Sequence, residues 1–296
     1  MNEDEQGDGE PEVEVVPLPS SPLRWVADSY YRTQRERIRC GNQISAVERG
    51  ADQMPIPVSI MLHQQRMLLS EDELIRDMER LTVAHPAMHW LGQVRGVGPV
   101  LAAKTIGLIE KIDTFDTCSK LWRFAGYAVM EAKCRTCMGT GMWTPARAKA
   151  DVEPVVCPAC NGSLLLPQRE RPVKGERLHY NVRLKTVVYL VATSFLKGGS
   201  PYRVVYDQAR AHYEVRRPYW TKAHQHMAAM RKMSKLFLSH LWQTWREAEG
   251  LSTRPPYALE YLEHSTFSDP WTFTDAKKTA KQAKAKAERE GRAPVV

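Results

Sequence analysis

The sequence predicts a mainly α-helical protein. A helical hairpin or coiled coil comes first. A helix-hairpin-helix-containing helical domain follows, interrupted by a small zinc-ribbon insert. Three observations carry this. Apolar residues recur at helical spacing in several long stretches, and none of these stretches alternates as a half-buried strand does. A Gly-x-Gly turn joins two short apolar helical stretches within LGQVRGVGPVLAAKTIG (91–107). Two Cys-x-x-Cys pairs lie in a Gly-rich stretch between helical segments.

Residues 1–22 are acidic, contain proline and have few apolar side chains, so disorder is expected there. Residues 23–50 read as a helix with Trp25, Val26, Tyr30, Ile38, Ile44 and Val47 as apolar positions among basic ones. The Met-Pro-Ile-Pro stretch at 54–57 interrupts it, because proline breaks a helix interior. A second helix, 58–85, places Met61, Leu68, Leu74, Ile75, Met78 and Leu81 near helical spacing, with a cap expected at Ser70 and Glu73. The pair reads either as a hairpin in one core or as a coiled coil that makes a homodimer through residues 23–85, with dimerisation favoured.

Residues 86–130 form the helix-hairpin-helix region and 131–170 the cysteine insert. Residues 171–250 complete the helical domain, and 251–296 form a C-terminal extension with a basic tail. Within 171–250, the stretch 177–199 is strongly apolar and stops at Gly198-Gly199. Ser200 and Pro201 suit the start of the next helix, and 219–250 is long and amphipathic. The Ala/Lys-rich tail 275–292 has no apolar face; a solvated helix is the reading in isolation, a basic arm the other.

Net charge is +8, yet the first 20 residues hold seven acids and no Lys or Arg, which leaves +15 on the other 276. Such an excess favours a polyanionic partner, nucleic acid first. No stretch approaches the ~20 apolar residues of a membrane span. The acidic start does not resemble a secretory signal. The cysteine usage suggests metal in a reducing cytoplasm rather than a disulfide framework.

In the hairpin, Leu91 and Val94 belong to the first helix, Gly96-Val97-Gly98 turns, and Pro99 starts the second helix. Ala102, Ala103 and Ile106 then pack back on the first. The glycines leave no side chain in the path of a ligand, and free N–H groups at a helix start suit a phosphate oxygen. Arg95 and Lys104 add charge. The candidate nucleic-acid-binding residues are therefore Arg95, Gly96, Val97, Gly98 and Lys104. A contact of this kind holds the backbone without reading sequence. The bland alternative is a corner whose glycines serve packing only.

Cys134, Cys137, Cys157 and Cys160 have the spacing of two zinc knuckles, Cys-x2-Cys-x19-Cys-x2-Cys. Four soft ligands suit one tetrahedral Zn2+, and a site with four thiolates has no open position for a reacting water, so a single structural zinc is expected. Gly139, Gly141 and Gly162 follow the pairs where the chain must turn. A redox pair or an iron–sulfur site is the minor alternative. No catalytic residue is assigned: the acids Glu71, Asp72, Glu73, Asp77 and Glu79 read as a solvated helix face. His212, His224, His226 and His240 read as surface or nucleic-acid contacts rather than metal ligands.

The stretch DMERLTVAHPAMHWLGQVRGVGPVLAAKTIGLIEKIDTFDTCSKLWRFAGY resembles the C-terminal half of the DEDD-type insertion-sequence transposases and Piv-like invertases. In that family a coiled coil precedes a Pro/Arg-Gly-x-Gly-Pro hairpin, an Ile-Gly-Asp-x-x-Phe-like stretch and Ala-Gly-Leu. Here 58–85, Arg95–Pro99, Ile112–Phe115 and Ala125–Tyr127 correspond. The likeness spans about 25–245, broken by the insert. The family's RuvC-like N-terminal domain has no counterpart in residues 1–22. Its Ser-Gly dipeptide is missing, and the insert sits where it should be.

The resemblance implies DNA binding and assembly in transposition or recombination, and carries no catalysis over. Three functions follow: a cytoplasmic DNA-binding protein of transposase descent, with structured RNA as a further ligand; a recombinase completed by a separate RuvC-like catalytic subunit; or a zinc-stabilised protein-interaction scaffold.

Overall fold

The structure, a computed structural model, describes residues 21–50, 55–144, 153–168, 170, 174–175, 177–218, 220–253 and 268–275. Most of the acidic N-terminus and the Lys/Ala-rich tail lie outside the described residues, and Ser21 and Pro22 already belong to the first helix start.

Helix α1 (Pro22–Glu48) begins where the Ser21 hydroxyl accepts the Arg24 N–H at 3.2 Å, with Pro22 at a position that needs no donor. Helix α2 (Val58–Thr82) follows Pro57 and runs antiparallel to α1, because Arg37 faces Glu71 and Gly41 faces Gln64. No cap forms at Ser70 and Glu73, which lie inside α2.

The period expected for this pair is right, and Val26, Tyr30, Leu74, Ile75 and Met78 lie in or against the core as expected, but the other expected positions do not all turn inward. Met61, Leu68 and Leu81 are exposed, and so are Trp25 and Ile38. The inward stripe is Leu23, Ala27, Tyr30 and Cys40 against Met67, Glu71, Met78 and Thr82, with Leu74 and Ile75 partly buried. Glu71 corrects the reading of a solvated acidic face. It is buried, and both Nε and Nη2 of Arg37 donate to its carboxylate, as a buried charge requires.

After the single turn α3 (Met88–Leu91) comes α4 (Pro99–Ile109), the centre of the molecule. It packs against α1, α2 and α6, and every residue from Ala102 to Ile109 is buried. A helix apolar on all sides belongs in an interior. At Gly107 a Cβ would stand 3.3 Å from the backbone of Arg24, so its bare backbone is what lets α1 cross α4 this closely.

Helices α5 (Cys118–Phe124), α6 (Val182–Lys197), α7 (Tyr202–Arg216) and α8 (Lys222–Ala248) complete the body. On α6 the buried face Leu184, Val187, Val188, Val191, Ala192 and Phe195 follows the helical period. Ser200 does not cap α7: Pro201 precedes the helix, and the Ser200 hydroxyl is buried with no partner among the described residues.

Three tryptophans, Trp90, Trp242 and Trp245, are fully buried with Phe195, Tyr202 and Phe237. Their indole N–H groups are all satisfied: Trp90 donates to the Pro270 carbonyl at 2.9 Å, Trp242 to that of Phe115 at 2.6 Å, and Trp245 to the Glu249 carboxylate at 2.6 Å.

A C-terminal strap, residues 268–275, lies across this core. Its 3-10 turn (Pro270–Phe273) puts the Phe273 ring 4.6 Å from Tyr202 and 4.9 Å from His240. The Asp275 N–H then donates to the Gln93 carbonyl at 2.9 Å. His240, expected at the surface, is a core residue: its Nδ1 lies 2.6 Å from the Tyr202 hydroxyl, and burial lowers its pKa to about 4.

Between α5 and α6 the chain makes an excursion through β1 (Met130–Lys133), β2 (Met142–Trp143), β3 (Val155–Val156) and β4 (Leu165–Gln168). β1 pairs antiparallel with β4, Glu131 opposite Pro167, and β2 with β3, Met142 opposite Val156. Strands this short show no alternation, which is why the sequence did not announce them. The excursion closes on itself: the Asn181 N–H donates to the Phe124 carbonyl at 2.8 Å.

Candidate functional site

Both predicted sites fold into local structures, and they differ in how many of their residues meet. All four cysteines of the insert converge. Their sulfurs are buried and lie within 4.8 Å of one another, with Cys134 and Cys157 3.8 Å apart and Cys137 and Cys160 3.6 Å apart. A disulfide needs about 2.05 Å, so these are thiols. Sulfurs at the corners of a tetrahedron around one Zn2+, each about 2.3 Å from it, stand about 3.8 Å apart. The donor set and its spacing therefore fit one metal ion.

The two knuckles are built alike. The Cys134 N–H donates to the Leu164 carbonyl and the Cys157 N–H to the Gly141 carbonyl, both at 2.8 Å. Leu164 and Gly141 each sit four residues beyond the second cysteine of their own knuckle, so each knuckle is pinned by the exit of the other. Gly141 has φ +78° and aims its N–H at the Cys137 sulfur, 3.3 Å away. Burial pushes the Cys137 thiol up, but the Gly141 N–H, Cys160 and the Gly139 N–H outweigh it and bring it down to about 6. Trp143 and Leu166 pack on the cluster.

The hairpin residues divide. Gly96 has φ +94°, and a Cβ on it would meet Phe195 at 3.1 Å and the Ser194 backbone at 3.3 Å. The Ser194 hydroxyl donates to its carbonyl at 2.6 Å. Gly96 is thus a packing glycine against the C-terminal end of α6, with Gly198 beside it. Val97 is buried. Gly98 is the opposite case: it is exposed, has extended backbone, and nothing lies within 4 Å of where its Cβ would stand. It precedes the first turn of α4, where the amides of Val100 and Leu101 meet no acceptor among the described residues.

Neither cation is a free charge beside the turn. Arg95 is half exposed beside the turn but bonded, its Nε to Asp275 at 2.8 Å and its Nη1 to the Gly199 carbonyl at 3.4 Å. Lys104 lies more than a turn down α4 and is buried. Its ammonium stands 4.7 Å from the Tyr30 ring centre and 4.8 Å from that of Tyr31, and burial lowers its pKa. Lys104 thus belongs to the α1–α4 contact and is not part of the surface around Gly98. Sequence reasoning missed Asp275 and Ser194, whose distance along the chain hides them; Gly198 was visible only as a helix stop.

Among the described residues no helix is long and apolar enough to cross a membrane. No protein-family model matches the chain, and no curated protein shows significant similarity to it.

Proposed function

We propose that this chain is a DNA-binding protein of transposase descent that holds nucleic acid during transposition or recombination, without a catalytic centre of its own. The observation that carries the reading is the open amino end of α4. Gly98 leaves room for a phosphate, and the amides of Val100 and Leu101 meet no acceptor among the described residues, with the positive end of the helix dipole behind them. The charge of +15 on residues 21–296 supports the same partner. Structured RNA offers the same phosphates and is the second ligand to test.

In this reading the metal is one structural Zn2+ held by Cys134, Cys137, Cys157 and Cys160. Four thiolates close the coordination sphere and exclude a catalytic water. Self-association through residues 23–85 belongs to it too, supported by Ile60, Met61, Leu62, Leu68 and Leu69, all exposed on α2.

The test is a titration of the full chain against labelled duplex DNA and structured RNA over a range of salt. Binding weakens steeply with salt, and Gly98→Val keeps its melting temperature while losing affinity by a similar factor for unrelated duplexes. Full-strength binding by a folded Gly98→Val protein removes the hairpin from the interface. Absence of salt-dependent binding removes the function.

A further inference from the structure

We infer that the tip of the α7–α8 hairpin is a second nucleic-acid contact, in which the exposed ring of His224 stacks on an unpaired base while surrounding cations hold the flanking phosphates. This deepens the nucleic-acid reading above and rests on it.

The tip is built by the antiparallel pairing of α7 and α8. The Tyr206 hydroxyl lies 2.6 Å from His226 Nδ1, and Arg210 Nη1 donates to the Lys222 carbonyl at 2.8 Å. The Trp220 and His224 rings are parallel there, 4.0 Å between centres and 7° between planes. Tyr213 tilts against Trp220 at 5.5 Å, and the Arg217 guanidinium lies 5.8 Å from the Trp220 ring centre. Trp220 is thereby half-buried among its neighbours. His224 is exposed, and since its inner face rests on Trp220, its outer face meets solvent. The stack ends in an open aromatic face.

Charge surrounds that face with one sign. Between residues 208 and 226 the tip carries Arg210, Arg216, Arg217 and Lys222 and a single acid, Glu214, which pairs with Arg210. Arg216 and Lys222 are exposed and make no ion pair among the described residues. A purely structural stack sealing the turn has no need of this surplus. Cations interleaved with a free aromatic face suit a strand whose bases are unpaired, because in a duplex the base faces are already covered.

The test uses the full chain and fluorescent oligonucleotides of about 12 nucleotides, in the range of single-strand sites. They are presented as single-stranded DNA, single-stranded RNA and duplex. His224→Ala keeps the α8 cap, since the Thr221 hydroxyl accepts the backbone N–H of residue 224. It should weaken single-strand binding roughly 5- to 150-fold, leaving duplex affinity and melting temperature unchanged. His224→Tyr should restore the affinity. Arg216→Glu with Lys222→Glu should lower the slope of log K against log salt by about 0.7 for each single-strand phosphate that no longer meets a cation.

Single-strand binding by His224→Ala at wild-type strength overturns the inference, as does a loss that tracks a lower melting temperature or that His224→Tyr fails to rescue. Polyglutamate binding as tightly as the oligonucleotides reassigns the tip to an acidic protein surface and also overturns it. A wild-type chain that binds duplex but no single strand sinks this contact alone; one that binds neither sinks the nucleic-acid function itself.

Discussion

The Nε of Arg95 lies 2.8 Å from a carboxylate oxygen of Asp275, 180 residues further along the chain. The C-terminal strap thus brings an acid to the cation beside the Gly98 turn and occupies it.

Asp275→Asn should therefore tighten binding to duplex DNA. One further phosphate contact steepens the slope of log K against log salt by about 0.9. The Asp275 side chain is only 10% exposed beside a half-exposed Arg95, so some loss of melting temperature is expected, and affinity is compared at a temperature where both proteins are folded. Adding Arg95→Ala should erase the gain. A filter-binding series at several salt concentrations decides it; equal affinity of Asp275→Asn and wild type would place Arg95 outside the interface.

Purified protein should carry about one equivalent of zinc, and Cys134→Ser or Cys157→Ser should lose it. Structural sites of this kind contribute ~10–16 kcal/mol of apparent binding energy, enough to organise an insert in which, among the described residues, Trp143 and Leu166 pack on the thiols. Metal analysis beside circular dichroism reads both the metal and the helices. Iron in place of zinc, or a folded insert without metal, would refute this.

Gly96→Ala should destabilise where Gly98→Val does not. At φ +94° a side chain is strained by about 1–2 kcal/mol, and here it also meets Phe195 and Ser194. Each kcal/mol lowers the melting temperature by about 2–4 °C in a chain of this size. A Gly96→Ala protein that melts with wild type would show that α6 yields at this contact.

Stability should fall as pH drops from about 6.5 towards 4. His240 is held neutral in the folded core with its pKa lowered to about 4, whereas in the unfolded chain it takes up a proton near 6.5. The contribution is complete above about 6.5 and is lost on the way down to about 4, a difference of about 3 kcal/mol. Burial lowers the pKa of His85 as well, with the same sign. His240→Phe cannot titrate, so its melting temperature should depend less on pH over this window. An unchanged slope would assign the effect to other groups.

What the sequence reveals here follows the range of the interactions. The cysteine knuckles were legible because ligand spacing is local, and α4 because Pro99 and an apolar run mark it. The inward stripe of α2 was legible only in part. Ile60, Met61, Leu62, Leu68 and Leu69 make that helix apolar on more than one side, and the positions of α1 and α4 select Met67, Glu71 and Met78. Lys104 was misjudged for the same reason. A lysine reads as a surface charge until Tyr30 and Tyr31, on another helix, are seen to cover it.

The hydrogen bond from Asn181 to Phe124 closes a detour of 56 residues. Loop-closure entropy grows only as the logarithm of length, so halving such a loop gains about 0.6 kcal/mol. A metal that ties Cys134 to Cys160 therefore hardly alters the entropy of bringing α5 and α6 together. The helical body can assemble around an apo insert, and metal can be loaded or stripped afterwards. Loop entropy alone thus leaves folding of the core separable from any loading of the knuckles.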